Sequence, residues 1–413
     1  MYFAGIDWGN ATHSVCLIDE SGQEVEAFDV AHDSAGLDEL VGRLKKREPL
    51  AGVAIETSRG PLVSALVDAG ITVFPVNPKV SKAWRNGWSA NGVKTDPGDA
   101  RAIAHGLRQH HQNLRPLLLD SPLARELAIL CADQKHLIQQ RTALVNSLIA
   151  ALKAYYPQAL EWFDDWTSPT SHDFIITFPT PASLRAASKK RLTGFLKTHR
   201  IGLSALWLRR IDAARAAAAP PENSATTPVC AAKALLAVST AKQLRTLDAA
   251  LAEYKKRIRE LFENHPDSGI FTSLPGAGEK LAPRLLSSFG DNRAKFRNAA
   301  SVQALSGVVP YKFKSGKIDF DRFRYACDKE FRDAMTSFAY QSTRFCPWAG
   351  AFYAKARAAG QSHFQALRNL AAKWAKIIFR MWTEYATYDE SIITRSLALH
   401  GVIIPQCKGC EKS

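Results

Sequence analysis

The chain has 413 residues, with 54 Lys+Arg against 39 Asp+Glu and a formal net charge of +15. Hydrophobic residues make up 46 % and charged residues 23 %, a globular composition that excludes disorder along the whole length. No run reaches the roughly 18 apolar residues of a membrane span, the length asks for two or three domains, and the positive surplus points to a polyanionic partner, nucleic acid ahead of an anionic membrane.

The start, Met1-Tyr2-Phe3-Ala4-Gly5-Ile6-Asp7, lacks the basic and apolar stretches of an export signal, and seven scattered cysteines fit a reducing compartment. A cytoplasmic, nucleoid-associated protein is the expectation. Cys407 and Cys410 have the spacing of half a zinc ribbon, but no second pair accompanies them, so a pair of tail thiols is expected there.

Residues 2–7, 14–19 and 24–30 read as short strands, separated by the turn residues Asn10-Ala11-Thr12 and Ser21-Gly22. Leu37, Leu40, Val41 and Leu44 then fall at helical spacing; 52–56 is a buried-type strand, 61–68 a helix closed by Gly70, and 71–76 another strand. A meander followed by alternating helices and strands is the order of an α/β RNase H-like domain, placed at residues 1–120. A helix opens near Thr95, with Asp96 read as its N-cap, Pro97 at the first helical position and Asp99 at the third. Across 121–156, leucines recur every three, four or seven residues, which predicts a helical or coiled-coil arm. Residues 157–228 hold Trp162, Trp166, Trp207 and several prolines and read as an insert and linker. A mainly helical C-terminal module is placed at 229–400, followed by a tail at 401–413. No internal repeat is visible.

Asp7 closes the first strand, Glu56 the fourth, and Asp96 and Asp99 open a helix. In an RNase H-like sheet the first and fourth strands are central neighbours, so Asp7 and Glu56 are expected side by side, with Asp96 and Asp99 added from one face of a helix. Each acid alone has an ordinary explanation: a turn residue, a solvated strand end, an N-cap, a charge on the helix dipole. Together, four carboxylates repel unless a hard cation lies among them, and Mg²⁺ or Mn²⁺ takes such oxygen ligands. Two such ions clamp the attacking and leaving oxygens of a phosphodiester.

The runs Gly5-Ile6-Asp7-Trp8-Gly9-Asn10, Ile55-Glu56-Thr57-Ser58 and Lys94-Thr95-Asp96-Pro97-Gly98-Asp99-Ala100 resemble the DEDD motif of insertion-sequence transposases of the IS-one-ten type. The runs Phe271-Thr272-Ser273-Leu274-Pro275-Gly276-Ala277-Gly278, Ala304-Leu305-Ser306-Gly307-Val308-Val309-Pro310 and Lys314-Ser315-Gly316 resemble that family's C-terminal signature. The likeness covers residues 1–156 and 229–390; it departs from the family pattern at Lys317-Ile318-Asp319-Phe320 and in the long 157–228 insert. The resemblance implies a DNA transposase or site-specific recombinase with a RuvC-like N-terminal domain and a mainly α C-terminal transposase domain. It implies Asp7, Glu56, Asp96 and Asp99 as Mg²⁺ or Mn²⁺ ligands and Ser315 as nucleophile, with Ser306 the alternative. The implied partners are donor and target DNA, a guide (bridge) RNA and further copies of the chain in a dimer or tetramer.

Leu274-Pro275-Gly276-Ala277-Gly278 reads either as a helix-hairpin-helix-like turn, whose Gly276 and Gly278 let backbone N–H groups approach a phosphate, or as an ordinary helix–helix turn. Lys280 and Arg284 follow it, with Arg293, Lys295 and Arg297. Lys312, Lys314, Lys317, Arg322 and Arg324 surround Ser315, interleaved with Tyr311, Phe313, Phe320 and Phe323, a mixture suited to phosphates and unstacked bases. A serine hydroxyl needs activation; no Ser-His-Asp set is legible nearby, so activation is assigned to the acid-held metal. Three other readings compete with this one. One is a metal-dependent Holliday-junction-type endonuclease using the acids alone. The second is an actin-like or sugar-kinase ATPase suggested by Gly5-Ile6-Asp7-Trp8-Gly9, for which a second Asp-x-Gly-Gly loop and a Gly-Gly adenosine motif are missing. The third is a non-catalytic nucleic-acid-binding protein with a decayed site, which the intact acid set opposes.

Overall fold

The computed structural model describes residues 1–88, 95–201, 207, 209, 227–315, 318–392 and 395. The chain divides into two compact units, Met1–Leu119 and Asp120–Ser413. Lys317, the linker-like stretch around 216–223 and the Cys407/Cys410 pair lie outside the described residues. Among the described residues the cysteines are free, and no helix is long and apolar enough to cross a membrane.

The first unit is built on a sheet of five strands, β1 (Tyr2–Trp8), β2 (Thr12–Ile18), β3 (Glu24–Ala31), β4 (Leu50–Ile55) and β5 (Val73–Pro75), in the order β3-β2-β1-β4-β5. The short turns expected from the sequence make β1, β2 and β3 antiparallel. The helical crossovers make β4 and β5 parallel to their neighbours, and β1 sits at the centre beside β4. Alternation along β1 sends Ala4 and Ile6 into one core with Leu40 and Leu44 of α1 (Ser34–Lys45) and Leu62, Val63 and Leu66 of α2 (Pro61–Asp68). Phe3 enters a second core on the opposite face, against α4 (Asp96–His110). That helix presents Ala100, Ile103, Ala104 and Leu107, a complete apolar stripe at helical spacing.

Gly5 makes this second layer possible. A Cβ at Gly5 would lie 2.2 Å from the Ala100 carbonyl oxygen and 2.3 Å from the Ala104 nitrogen. The α4 backbone therefore rests directly on β1. A second helix, α3 (Pro78–Trp88), packs on α4. Its Trp84 ring stacks on His110 with centroids 5.6 Å apart and fills the space that a side chain at Gly106 would need. The N-cap of α4 is Thr95 rather than Asp96: its hydroxyl oxygen accepts the Gly98 N–H at 3.2 Å, which makes Asp96 the first helical residue.

The second unit hangs on two long helices, α5 (Pro122–Tyr155) and, after α6 (Pro169–Thr177), α7 (Pro181–Ala186) and α8 (Lys189–Thr198), the helix α9 (Thr227–Glu263). Leu127 and Cys131 of α5 share a core with Ile258 and Leu261 of α9. Leu148 and Leu152 share another with Ala237 and Ala241. The two helices thus run antiparallel, and the long leucine pattern serves two successive cores. The region 157–201, illegible in sequence, is helical. Pro169 and Pro181 lie in the first turns of α6 and α7, where a missing N–H costs no bond; Ser168 and Thr180 cap these two helices, and Ser188 caps α8. Trp162 and Trp166 are buried with Phe174 in this layer.

The rest of the unit is α10 (Ser268–Thr272), α11 (Gly278–Phe289), α12 (Ala299–Leu305), a hairpin of β6 (Tyr311–Ser315) and β7 (Ile318–Arg322), α13 (Lys329–Phe345), α14 (Pro347–Ala358) and α15 (His363–Glu384). Its core surrounds Trp374 and Trp382. Their indole N–H groups donate to Ser342 Oγ and the Gly290 carbonyl, each at 2.8 Å, so both buried polar atoms are satisfied.

Replacing Gly5 by Ala is expected to cost the first unit about 1–3 kcal/mol, because backbone cannot move aside cheaply. Gly42, inside α1 with nothing within 4 Å of its added Cβ, is the control: Gly42→Ala is expected to be neutral or to stabilise by up to about 1 kcal/mol. Urea unfolding followed by circular dichroism checks both; equal behaviour of the two variants contradicts the contact.

Candidate functional site

Ile6 and Ile55 are the last paired residues of the parallel β1–β4 ladder. Asp7 and Glu56 are the next residue on each chain, and neighbouring strands lie about 4.8 Å apart. Ile6 and Ile55 point into the core shared with α1 and α2. Alternation therefore turns Asp7 and Glu56 toward the face that α4 covers. Glu56 meets α3 there, accepting a short hydrogen bond from the Ser81 hydroxyl. Asp99, one residue before the Ala100 that abuts Gly5, is buried at 7 % exposure, whereas Asp96 is exposed at the helix start.

The residue that gathers these acids is Arg85 of α3. Its guanidinium donates to both carboxylate oxygens of Asp99, at 2.9 and 2.7 Å. The hydrogen bonds from Arg85 to Asp99 raise the Arg85 pKa; partial burial opposes them, and the fields of Asp99, Glu56 and Asp7 add to the rise. One cation thus lies in the field of three of the four acids. Among the described residues, no three His, Cys, Asp or Glu side chains stand close enough to hold a metal ion in this arrangement. The donor set is nevertheless all carboxylate oxygen, the set a hard divalent cation takes, and a cationic group already sits among it.

The turn after Asp7 has its own support. The Gly9 N–H donates to His13 Nδ1 at 3.3 Å, so the neutral ring carries its proton on Nε2 and donates it to His32 Nδ1 at 2.8 Å. Burial, and then the neighbouring His32, hold His13 below its ordinary value of 6.5.

In the second unit, Ser315 ends β6 and pairs with Ile318 at the end of the hairpin ladder. Lys312 and Lys314 are exposed and lie opposite Asp321 and Asp319 in the register. The Arg322 guanidinium covers the Phe320 ring at 4.9 Å, and Arg324 covers Tyr311 at 5.7 Å. Beside them Tyr325 is 80 % exposed. Ser306 is fully buried at the end of α12, its hydroxyl donating to the Val302 carbonyl at 2.7 Å. In the glycine turn, Gly276 is fixed by the fold: it has φ 82°, and an added Cβ would meet the Phe345 ring at 2.7 Å. Gly278 faces open space, and α11 begins there without a side-chain cap. Lys280 is exposed, but Arg284 donates to Asp333 at 2.7 Å.

Residues 4–157 match a family model described as a transposase, of the DEDD type, and residues 268–354 match one described as "Transposase IS116/IS110/IS902 family". The IS117 mini-circle protein of Streptomyces coelicolor is 30 % identical over 376 residues, covering 89 % of this chain and 90 % of the relative. This chain belongs to the IS110-type insertion-sequence transposases. The 42 kDa protein of insertion element IS900 from Mycobacterium paratuberculosis is 27 % identical, covering 95 % of this chain and 98 % of its own. The 44.8 kDa protein of IS116 from Streptomyces clavuligerus is also 27 % identical, covering 92 % and 94 %.

Arg85 and Ser81 were not found from the sequence of this transposase. Asn77-Pro78, followed by Val80, Ala83 and Trp84 at spacings of three and four, is the signal that marks α3 and could have placed them. Tyr325 was missed because it lies just past the hairpin.

A depressed His13 pKa means that the neutral ring stabilises the fold above pH 6.5, and that this contribution is lost as the pH falls through the lowered folded value. Charging the ring also sets an Nδ1–H against the Gly9 N–H. His13→Asn is expected to flatten the acid side of the stability–pH curve measured by urea unfolding between about pH 7 and about pH 5. An unchanged slope in the variant contradicts this role.

Proposed function

We propose that this transposase cuts and rejoins DNA strands, using a divalent-metal site held by Asp7, Glu56, Asp96 and Asp99 and the Ser315 hydroxyl as nucleophile. The observation that carries the reading is the register of β1 and β4, which sets Asp7 and Glu56 beyond one paired step, on the face where α4 brings Asp99. The strand order β3-β2-β1-β4-β5 supports an RNase H-like, RuvC-like domain around them. Bound there, Mg²⁺ or Mn²⁺ would supply Lewis-acid polarisation of the phosphodiester.

The protein's own groups do the rest. Ser315 Oγ forms a bond to phosphorus as one deoxyribose oxygen leaves, and the proton lost by the serine balances the proton gained by the leaving oxygen. The phosphoserine link conserves the energy of the broken phosphodiester. A hydroxyl of the new partner strand then attacks phosphorus and expels the serine, so strand exchange needs no nucleotide cofactor. Lys312, Lys314, Lys317, Arg322 and Arg324 stabilise charge on the phosphoryl group and hold the backbone. The burial of Ser306 supports Ser315 as the nucleophile. Gly276, Gly278, Lys280 and Arg284 belong to the proposed nucleic-acid surface, with the exposed Gly278 and Lys280 nearest to a phosphate-gripping role. A guide RNA that pairs with donor and target DNA, acting on a dimer or tetramer of the chain, completes the reading.

The test is recombination of supercoiled plasmids carrying the element's ends, together with sequencing of RNA that co-purifies with the protein. Product is expected with Mg²⁺ and not with EDTA. Asp7→Asn, Asp99→Asn and Ser315→Ala are each expected to abolish it, while Ser306→Ala keeps most of it. Wild-type recombination by Ser315→Ala overturns the nucleophile. Cleaved ends without strand joining, unaffected by Ser315→Ala, establish the junction endonuclease instead. Full activity in preparations without bound RNA removes the guide.

A further inference from the structure

We infer that Arg85 is the exchangeable counter-cation of the acid site: it neutralises the carboxylates when no metal is bound, and a divalent ion must displace it from Asp99 to enter. This rests on reading the acids as a metal site.

The argument starts from electrostatics. Asp7, Glu56 and Asp99 are brought to one end of the sheet by the β1–β4 register and by the seat of α4 on Gly5. Carboxylates that share the field of one guanidinium, one of them on a buried side chain, raise the free energy of the fold when no cation offsets them. Arg85 supplies that cation through one nitrogen, Nη1, which donates to both oxygens of Asp99 at 2.9 and 2.7 Å. A guanidinium so placed and a dication on the same carboxylate repel strongly, so the two occupants compete.

Helix α3 is held by contacts that do not involve the Arg85 side chain. Trp84, its neighbour in sequence, is stacked on His110 and seated against Gly106, so α3 stays docked on α4 when the Arg85 side chain lets go. Ser81, a turn earlier, holds Glu56 from the same helix. Exchange therefore needs only a rotation of one long side chain, which is 26 % exposed and has solvent into which to turn. Arg85 is thus a positioning residue whose departure is coupled to metal entry.

The experiment is calorimetric titration of the metal-free full chain with Mn²⁺, for wild type, Arg85→Gln and Arg85→Lys, paired with thermal unfolding in EDTA and in saturating Mn²⁺. Arg85→Gln removes the competitor and is expected to bind Mn²⁺ at least about ten-fold more tightly than wild type. Arg85→Lys keeps the charge and is expected to stay near wild type. Arg85→Gln should melt below wild type in EDTA, and saturating Mn²⁺ should close most of the gap. Mn²⁺ binding by Arg85→Gln that is equal to or weaker than wild type overturns the inference and leaves the metal site standing. No Mn²⁺ uptake by any of the three proteins overturns the metal site itself and the inference with it.

Discussion

The contact between α4 and β1 at Gly5 sets the geometry of the acid-bearing end of the first unit. Ala100 and Ala104 press backbone against backbone there, with no side chain between. A helix seated this closely delivers its buried first-turn acid, Asp99, to the end of the sheet where β1 and β4 stop. A side chain at position 5 would collide with the backbone of Ala100 and Ala104, next to Asp99. A buried carboxylate needs a countercharge, and the Arg85 guanidinium supplies it to Asp99.

The surplus of +15 is distributed unevenly between structure and surface. Several basic residues of the second unit are committed internally. Arg293 grips Asp267 and lies over the rings of Trp382 and Tyr385. Lys295 pairs with Asp120 at 3.0 Å, and Arg284 and Lys135 both pair with Asp333. These pairs fasten α11 and its flanks to α5, α13 and α15. Among the exposed basic residues, Lys280 stands just after the glycine turn and Lys312, Lys314 and Arg322 on the hairpin. There guanidinium groups lie over Phe320 and Tyr311, while Tyr325 is 80 % exposed.

Much of the first unit was legible because its signals are local. The turn residues between the first strands, the helical spacing of Leu37, Leu40, Val41 and Leu44, and the order of elements led directly to the central placing of β1 and β4. The N-cap of α4 was misplaced by one residue, since Thr95 and Asp96 are both good capping residues and only geometry separates them. Arg85 was not legible at all. Its role depends on a helix seated by Trp84 against Gly106, a contact between residues far apart in sequence. In the second unit the prolines of 157–201 suggested irregular chain, yet Pro169 and Pro181 start helices. The burial of Ser306 and the pairing of Arg284 with Asp333 are likewise tertiary facts that composition and spacing do not encode.

The central claim is that the acids on the α4 face of the sheet form a metal centre. Anomalous scattering from crystals of the protein grown with Mn²⁺ tests it most directly. The account predicts a manganese peak among Asp7, Glu56 and Asp99, with the Arg85 guanidinium turned out of the site. Crystals with no peak there and with Arg85 still on Asp99 would contradict it.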